Sequence, residues 1–290
     1  MATLGTKTVE VAKRRLRAPP ALDWALRRMR ELVDPWLGGG AARRGRDGPV
    51  PPRRLRARAG APGARAFIEG GRQSAAELAG IVRDVGGDPV RLGSILEFGC
   101  GAGRVLPHFA QLAPEAACVG CDVDEAAILW AARNRPHLGW SLSSFHPPLP
   151  YAADSFDLVY SVSVFRHLDR GLAVLWLDEL RRVLAPGGLA LLAVHGPRAF
   201  KQFRRGARAT SWCPPTAFRR GPLGADEFLF TPYRRSLWTT GDLPGVGREY
   251  GLAFYGPEHA RATWRRSLHV VEVRARALSG WQDVVVCRNC

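Results

Sequence analysis

From about residue 74 the apolar positions alternate between a strand period and a helix period. Ser94-Ile95-Leu96-Glu97-Phe98 reads as a first strand. A glycine turn follows, then a helix with Val105, Phe109 and Leu112 on one face. Ala117 to Cys121 reads as a second strand, and Asp124 is placed to cap a helix running to about Asn134. Trp140 to Ser143 is a short third strand and Phe156 to Ser161 a fourth. A helix carrying Ala173, Leu177, Leu180 and Leu184 is expected to end at Pro186-Gly187-Gly188. Leu189 to Val194 is the fifth strand. Strands separated by helices in this way imply βαβ units and a parallel sheet.

The pattern fades from 197 to 250, where Phe203, Trp212, Phe228, Phe230 and Tyr233 are mixed with Arg, Pro and Gly. This stretch is expected to be a lid over an acceptor pocket. Regularity returns with a helix at Pro257 to Trp264, a sixth strand at Leu268 to Val273 and a seventh at Asp283 to Cys287. The connection from Arg276 to Trp281 is too short for a crossover helix, so the seventh strand must return antiparallel. Its first residues, Gln282 and Asp283, should then lie at the edge where open α/β sheets take ligands. Asp283 either serves the chemistry there or fixes the hairpin turn.

Before residue 66 the chain is rich in Arg, Pro and Gly, and Leu22, Leu26, Met29 and Val33 fall at helical spacing among arginines. The expected organisation is a basic arm over 1–65 and one domain over 66–290. The arm helix, about residues 20–37, reads as packed on its own domain in preference to a membrane-surface or partner helix.

Hydrophobic residues make up 46% of the 290, enough for a sizeable core. No apolar run approaches the ~18 residues needed to cross a bilayer. The start lacks the apolar core of a secretory signal, so a cytoplasmic location is expected. The formal charge of +16 invites a nucleic-acid reading. Residues 1–65, however, hold 16 basic and 5 acidic residues, so +11 of the charge lies there and the rest of the chain carries only +5. Lys7, Lys13 and Lys201 are the only lysines, a skew that points to coding bias. No nucleic-acid partner is expected.

The candidate chemistry centres on Glu97-Phe98-Gly99-Cys100-Gly101-Ala102-Gly103, between a strand and a helix. Glycines let backbone approach a ligand closely and take positive φ, and the helix start behind them offers unpaired N–H groups. A dinucleotide turn would need glycine at 104, where this chain has Arg104. Asp122 follows Gly99 by 23 residues, at the end of the second strand. An acid there can accept from both hydroxyls of a ribose.

With these residues in view, Ile95–Val105 (ILEFGCGAGRV) resembles the first motif of class I S-adenosylmethionine-dependent methyltransferases, and Gly120-Cys121-Asp122 their ribose-binding acid. Leu149–Val159 (LPYAADSFDLV) resembles the lead-in to their fourth strand. Ser163–Leu168 (SVFRHL) and Gln282–Val286 (QDVVV) are similar to features of one bacterial branch. Leu184-Ala185-Pro186-Gly187-Gly188 matches the turn before strand five.

The resemblance implies a doubly wound, Rossmann-like α/β fold of seven strands in the order 3-2-1-4-5-7-6. It implies S-adenosylmethionine as cofactor, with Glu97 and the backbone of Gly99, Cys100, Gly101 and Gly103 on its methionine part and Asp122 on its ribose. Ser143-Ser144-Phe145 lies where the adenine is bracketed, with Ser144 and Phe145 as the candidates, and Ser161 would lie beside the methyl group. Transfer to an oxygen or nitrogen of a small-molecule or glycan acceptor is the expected activity. His167 is the candidate base, with His195 and His259 behind it. A module that keeps the fold without turnover, or a membrane- or RNA-associated protein acting through the basic arm, would be the alternatives.

Cys118/Cys121 and Cys287/Cys290 have the spacing of zinc ligands. In the expected order their strands stand four spacings apart, about 19 Å. Four ligands cannot share one ion across that gap, so free thiols and no metal are expected.

Overall fold

The computed structural model describes residues 44–45, 48–205, 221–233 and 247–290. The arm helix expected near 20–37, Trp212 and most of the 197–250 stretch lie outside them.

The main strands are β1 (Ser94–Phe98), β2 (Ala117–Asp122), β3 (Gly139–Leu142), β4 (Phe156–Ser161) and β5 (Leu184–Val194). A separate antiparallel ladder pairs β6 (Phe228–Pro232) with β7 (Gly251–Tyr255). β8 (His269–Leu278) and β9 (Gln282–Arg288) form the closing hairpin. The seven-stranded sheet has the order β8-β9-β5-β4-β1-β2-β3. This is the expected order, and β9 is antiparallel to both β8 and β5. The fold is therefore a doubly wound, Rossmann-like α/β sheet.

By internal packing the chain forms two compact units. One runs through to Ser143 and takes in Pro150–Ser155; the other comprises Ser144–Leu149 and Phe156–Cys290.

In the first unit β1, β2 and β3 pair in parallel. Around them lie α1 (Arg53–Arg58), α2 (Ala64–Asp84), α3 (Leu106–Leu112) and α4 (Glu125–Asn134). α2 buries Phe67, Gly71, Ala75, Leu78 and Val82, a helical stripe facing the core. Gly71 is required by close approach, because a Cβ there would lie 2.0 Å from the Arg104 carbonyl oxygen. α4 starts where Asp124 accepts from the backbone N–H of Ala127.

In the second unit α5 (Arg170–Val183) begins at Asp169, which accepts from Leu172 N–H at 2.7 Å. The helix stops at Val183 and not at the expected Pro186-Gly187-Gly188. Leu184 already pairs with Phe156, and the next ladder partners are Leu158 and Leu189. The intervening residues bulge, held by Gly187 N–H to Asn289 O and Asn289 N–H to Gly188 O. The 197–250 stretch contains α6 (Pro197–Arg204) and β6 where no regular element was expected. With β7 they build a satellite core of Ala199, Phe200, Phe203, Leu223, Leu252 and Phe254. α7 spans Pro257–Trp264 as expected. The sixth expected strand runs on from Val273 to Leu278, because positive φ at Arg276, Ser279 and Gly280 tightens the turn. Among the described residues no helix is long and apolar enough to cross a membrane.

Candidate active site

The glycine turn is built from β1 outward. Gly99, Gly101 and Gly103 hold φ of 78°, 53° and 72°, a region an L side chain enters only at a cost. Gly99 and Cys100 donate their N–H groups to Cys121 O at 2.8 and 3.0 Å, which ties the turn to the end of β2. Gly101 faces open space: a Cβ added there meets nothing within 4 Å. At Gly103 a Cβ would sit 2.6 Å from the Trp140 ring.

Asp122 closes β2. Its Oδ2 accepts from Gly101 N–H at 2.6 Å and its Oδ1 from Asp124 N–H at 2.8 Å. Burial raises its pKa, and these two N–H groups oppose the rise. Each carboxylate oxygen keeps a second acceptor direction. Glu97 is buried and caps α3, accepting from Leu106 N–H at 2.8 Å. The Cys100 thiol is buried, and desolvation pushes it well above its ordinary range, so it is inert as a nucleophile.

Arg135 is a structural partner that no motif announced. Its guanidinium is buried and donates to the carbonyls of Ala102, Gly103 and Pro49. Desolvation lowers its pKa to about 10, so it remains a cation. It thereby joins the far end of the glycine turn to the chain entering α1. Arg58 of α1 adds an ion pair to Asp124 at 2.5 Å.

Ser143 is buried in the same unit and its Oγ has no partner among the described residues. The expected candidate Ser144, in the second unit, is exposed. Phe145 is buried, with its ring edge-on to His146 and Tyr250. α5 holds this segment: Trp176 Nε1 donates to Phe145 O at 3.2 Å, and the buried Glu179 accepts from Leu149 N–H at 2.6 Å.

At the carboxyl end of β4, Ser161 is fully buried and its Oγ has no partner among the described residues. Ser163 follows with φ of 72°, strained for a residue other than glycine. Its Oγ and Gln282 Oε1 are 3.2 Å apart. His167 lies in a short 3-10 turn, half-buried. Its Nδ1 is 3.0 Å from Gly251 O and 2.7 Å from the Tyr233 hydroxyl. A carbonyl only accepts, so the proton sits on Nδ1 and Nε2 keeps its lone pair. Burial, then the charge of Arg166, lowers its pKa to about 3.

Asp283 is engaged elsewhere. Its Oδ1 accepts from Arg276 N–H at 2.8 Å, across the β8–β9 hairpin. His259 stacks on Phe228 and lies 3.3 Å from the Thr263 hydroxyl. Among the described residues no three His, Cys, Asp or Glu side chains gather to hold a metal ion. Cys118, Cys121 and Cys287 are buried thiols and Cys290 is exposed.

A sheet in this order, with a glycine turn after its first strand and an acid closing its second, defines the class I fold of the S-adenosylmethionine-dependent methyltransferases. Residues 95–188 match the family described as "Methyltransferase domain". Among curated proteins, a malonyl-[acyl-carrier protein] O-methyltransferase of Legionella pneumophila is 31% identical over 123 residues, covering 41% of this chain and 40% of the relative. Its counterpart in Geobacter sulfurreducens is 32% identical over 142 residues, covering 46% and 49%. The chain thus spans less than half the length of either relative. A solved structure similar in fold is an S-adenosylmethionine-bound amino pentose methyltransferase from Micromonospora echinaspora, with TM-score 0.50, 16% identity and coverage of 77% of this chain and 92% of that one.

Proposed function

We propose that the protein is an S-adenosylmethionine-dependent methyltransferase that acts on an oxygen or nitrogen of a small-molecule or glycan acceptor. One observation carries the reading: Asp122 is drawn onto Gly101 N–H beside a turn whose middle glycine faces open space. This suits a ribose hydroxyl pair on the carboxylate and a ligand lying along the backbone. The residues fit the group chemically. Glu97 and the Gly99, Cys100, Gly101 and Gly103 backbone would hold the methionine part, Asp122 the ribose, and Ser144 and Phe145 the adenine. The relatives' names make a carrier-linked acyl group one candidate within the small-molecule class.

When bound, the cofactor supplies a methyl group already activated on a sulfonium, so the protein's part is alignment. Ser161, at the carboxyl end of β4, would lie beside the methyl group, with Ser163 two residues further along the chain. His167, neutral at pH 7 with its lone pair on Nε2, can accept a hydrogen bond from an acceptor O–H or N–H and hold the nucleophile in line. The hydrogen bond from Arg276 N–H favours the hairpin role for Asp283 over a part in the chemistry.

Isothermal titration with S-adenosylmethionine tests the cofactor, and release of S-adenosylhomocysteine against malonyl-carrier, hydroxyl and amine acceptors tests turnover. Saturable binding with acceptor-dependent release is expected. Absence of binding would overturn the reading.

A further inference from the structure

His195 follows the last residue of β5 and is fully buried. Phe203, Phe254 and Trp281 enclose its ring, with centroids at 5.6, 5.4 and 4.8 Å. Its Nε2 lies 3.1 Å from Nη1 of Arg166. A guanidinium only donates, so Nε2 is the unprotonated nitrogen and the ring proton sits on Nδ1. Burial first, then the charge of Arg166, holds the ring neutral, with its pKa well below the usual histidine range.

That leaves one buried N–H, and Nδ1 has no partner among the described residues. Buried donors in folded proteins nearly always find an acceptor, and an orphan lowers stability until one arrives. A second orphan lies close in the topology. Ser161 Oγ, at the end of β4, is equally buried and partnerless. β4 and β5 run parallel with Ser161 opposite Leu192. Both polar groups therefore stand at the carboxyl edge of neighbouring strands, where open α/β sheets take ligands.

We propose that His195 is a specificity-determining residue of the acceptor pocket: Arg166 fixes its tautomer, and the Nδ1–H donates to a carbonyl or carboxylate oxygen of the bound acceptor. This rests on the reading that the acceptor binds at this edge. It also removes His195 as a general base, because the one lone pair of the ring is already taken by Arg166.

The test uses the full chain with 15N-labelled histidine. The ring nitrogens of His195 should report a proton on Nδ1 and none on Nε2, unchanged from pH 5 to 8. Sodium malonate and malonamide serve as carboxylate and carbonyl probes. At least one should move the Hδ1 resonance saturably, and which one does so identifies the oxygen. His195→Phe keeps a ring and deletes the N–H. It should bind that probe at least tenfold more weakly. A proton on Nε2, titration near pH 6.5, no response to either probe, or probe binding by His195→Phe as tight as the parent's would each overturn the proposal. The resonances of the parent decide the matter even if the variant fails to fold. S-adenosylmethionine titration is run separately. Failure there with a responsive Hδ1 would sink the methyltransferase reading alone.

Discussion

Asp122 Oδ2 lies 2.6 Å from the backbone nitrogen of Gly101, so the acid that ends β2 is part of the glycine turn that follows β1. Two backbone N–H groups depend on this carboxylate, and in the proposed function so does a ribose. Asp122→Ala should therefore act twice. Losing hydrogen bonds to a charged acceptor costs about 1.5–3 kcal/mol, which corresponds to S-adenosylmethionine binding about 10- to 150-fold weaker by titration. The melting temperature should fall as well, since Gly101 and Asp124 lose their acceptor. Unchanged cofactor affinity would refute the assignment.

Two glycines of the same turn should respond differently to alanine. Gly101 has open space where a Cβ would go, so Gly101→Ala carries only the left-handed backbone penalty, about 1–2 kcal/mol. Gly103→Ala adds a clash with the Trp140 ring and should lose about 1–3 kcal/mol more. Urea unfolding of both variants checks the ranking. In cofactor binding the order should reverse relative to stability, because the open face of Gly101 is where a ligand would pass.

Much of this turn was legible in sequence because its causes are local. Glycine stands at the positions whose φ is positive, and Asp124 caps the helix expected of it. β1 and β4 have the expected bounds because apolar runs flanked by turn residues specify fully buried strands. What escaped depends on distant pairing. β6 finds β7 across nearly twenty intervening residues, and Phe228–Pro232 carries no strand period of its own. The true end of α5 is set by Leu184 pairing with Phe156, which the Pro-Gly-Gly signal three residues later concealed. Arg135 belongs to no motif and Arg166 fills a place in Ser163–Leu168 to which no role was given; their partners are carbonyls and a ring that only tertiary packing brings near.

His167 carries a pH signature. Its folded pKa of about 3 lies below the unfolded value near 6.5. The unfolded chain therefore binds a proton that the native state refuses, and stability falls as pH drops from about 6.5 towards 3. Denaturation curves at pH 7.5, 6 and 5 should show that loss, and His167→Asn should reduce it. An ionisation near 6.5 in the ring NMR of His167 would contradict the environment described.

Asp283 should behave as a hairpin residue. Asp283→Ala strips the acceptor from Arg276 N–H, which has φ of 57°. It should cost about 1–3 kcal/mol of stability and leave S-adenosylmethionine affinity within twofold of the parent. Asp283→Asn keeps a carbonyl acceptor and should lose less. A lowered turnover in Asp283→Asn at unchanged melting temperature would return this residue to the chemistry.

Glu179 offers the sharpest separation between holding a segment and holding a ligand. Its Oε1 accepts from Leu149 N–H at 2.6 Å, and both carboxylate oxygens receive the Arg182 guanidinium. The side chain is buried on α5, while Arg182 is about one-third exposed. Glu179→Gln retains a carbonyl for Leu149 but removes the charge facing Arg182. Because Arg182 can turn to water, this change should cost about 1 kcal/mol or less. Glu179→Ala leaves the Leu149 N–H without its buried acceptor and should cost about 1–3 kcal/mol. If Ser144 and Phe145 contact the adenine, the alanine variant should also weaken S-adenosylmethionine binding through the loosened 144–149 segment, and the glutamine variant should not. The two variants compared by urea unfolding and cofactor titration decide it. Equal cofactor affinities in both, despite unequal stabilities, would remove the 144–149 segment from the adenine site.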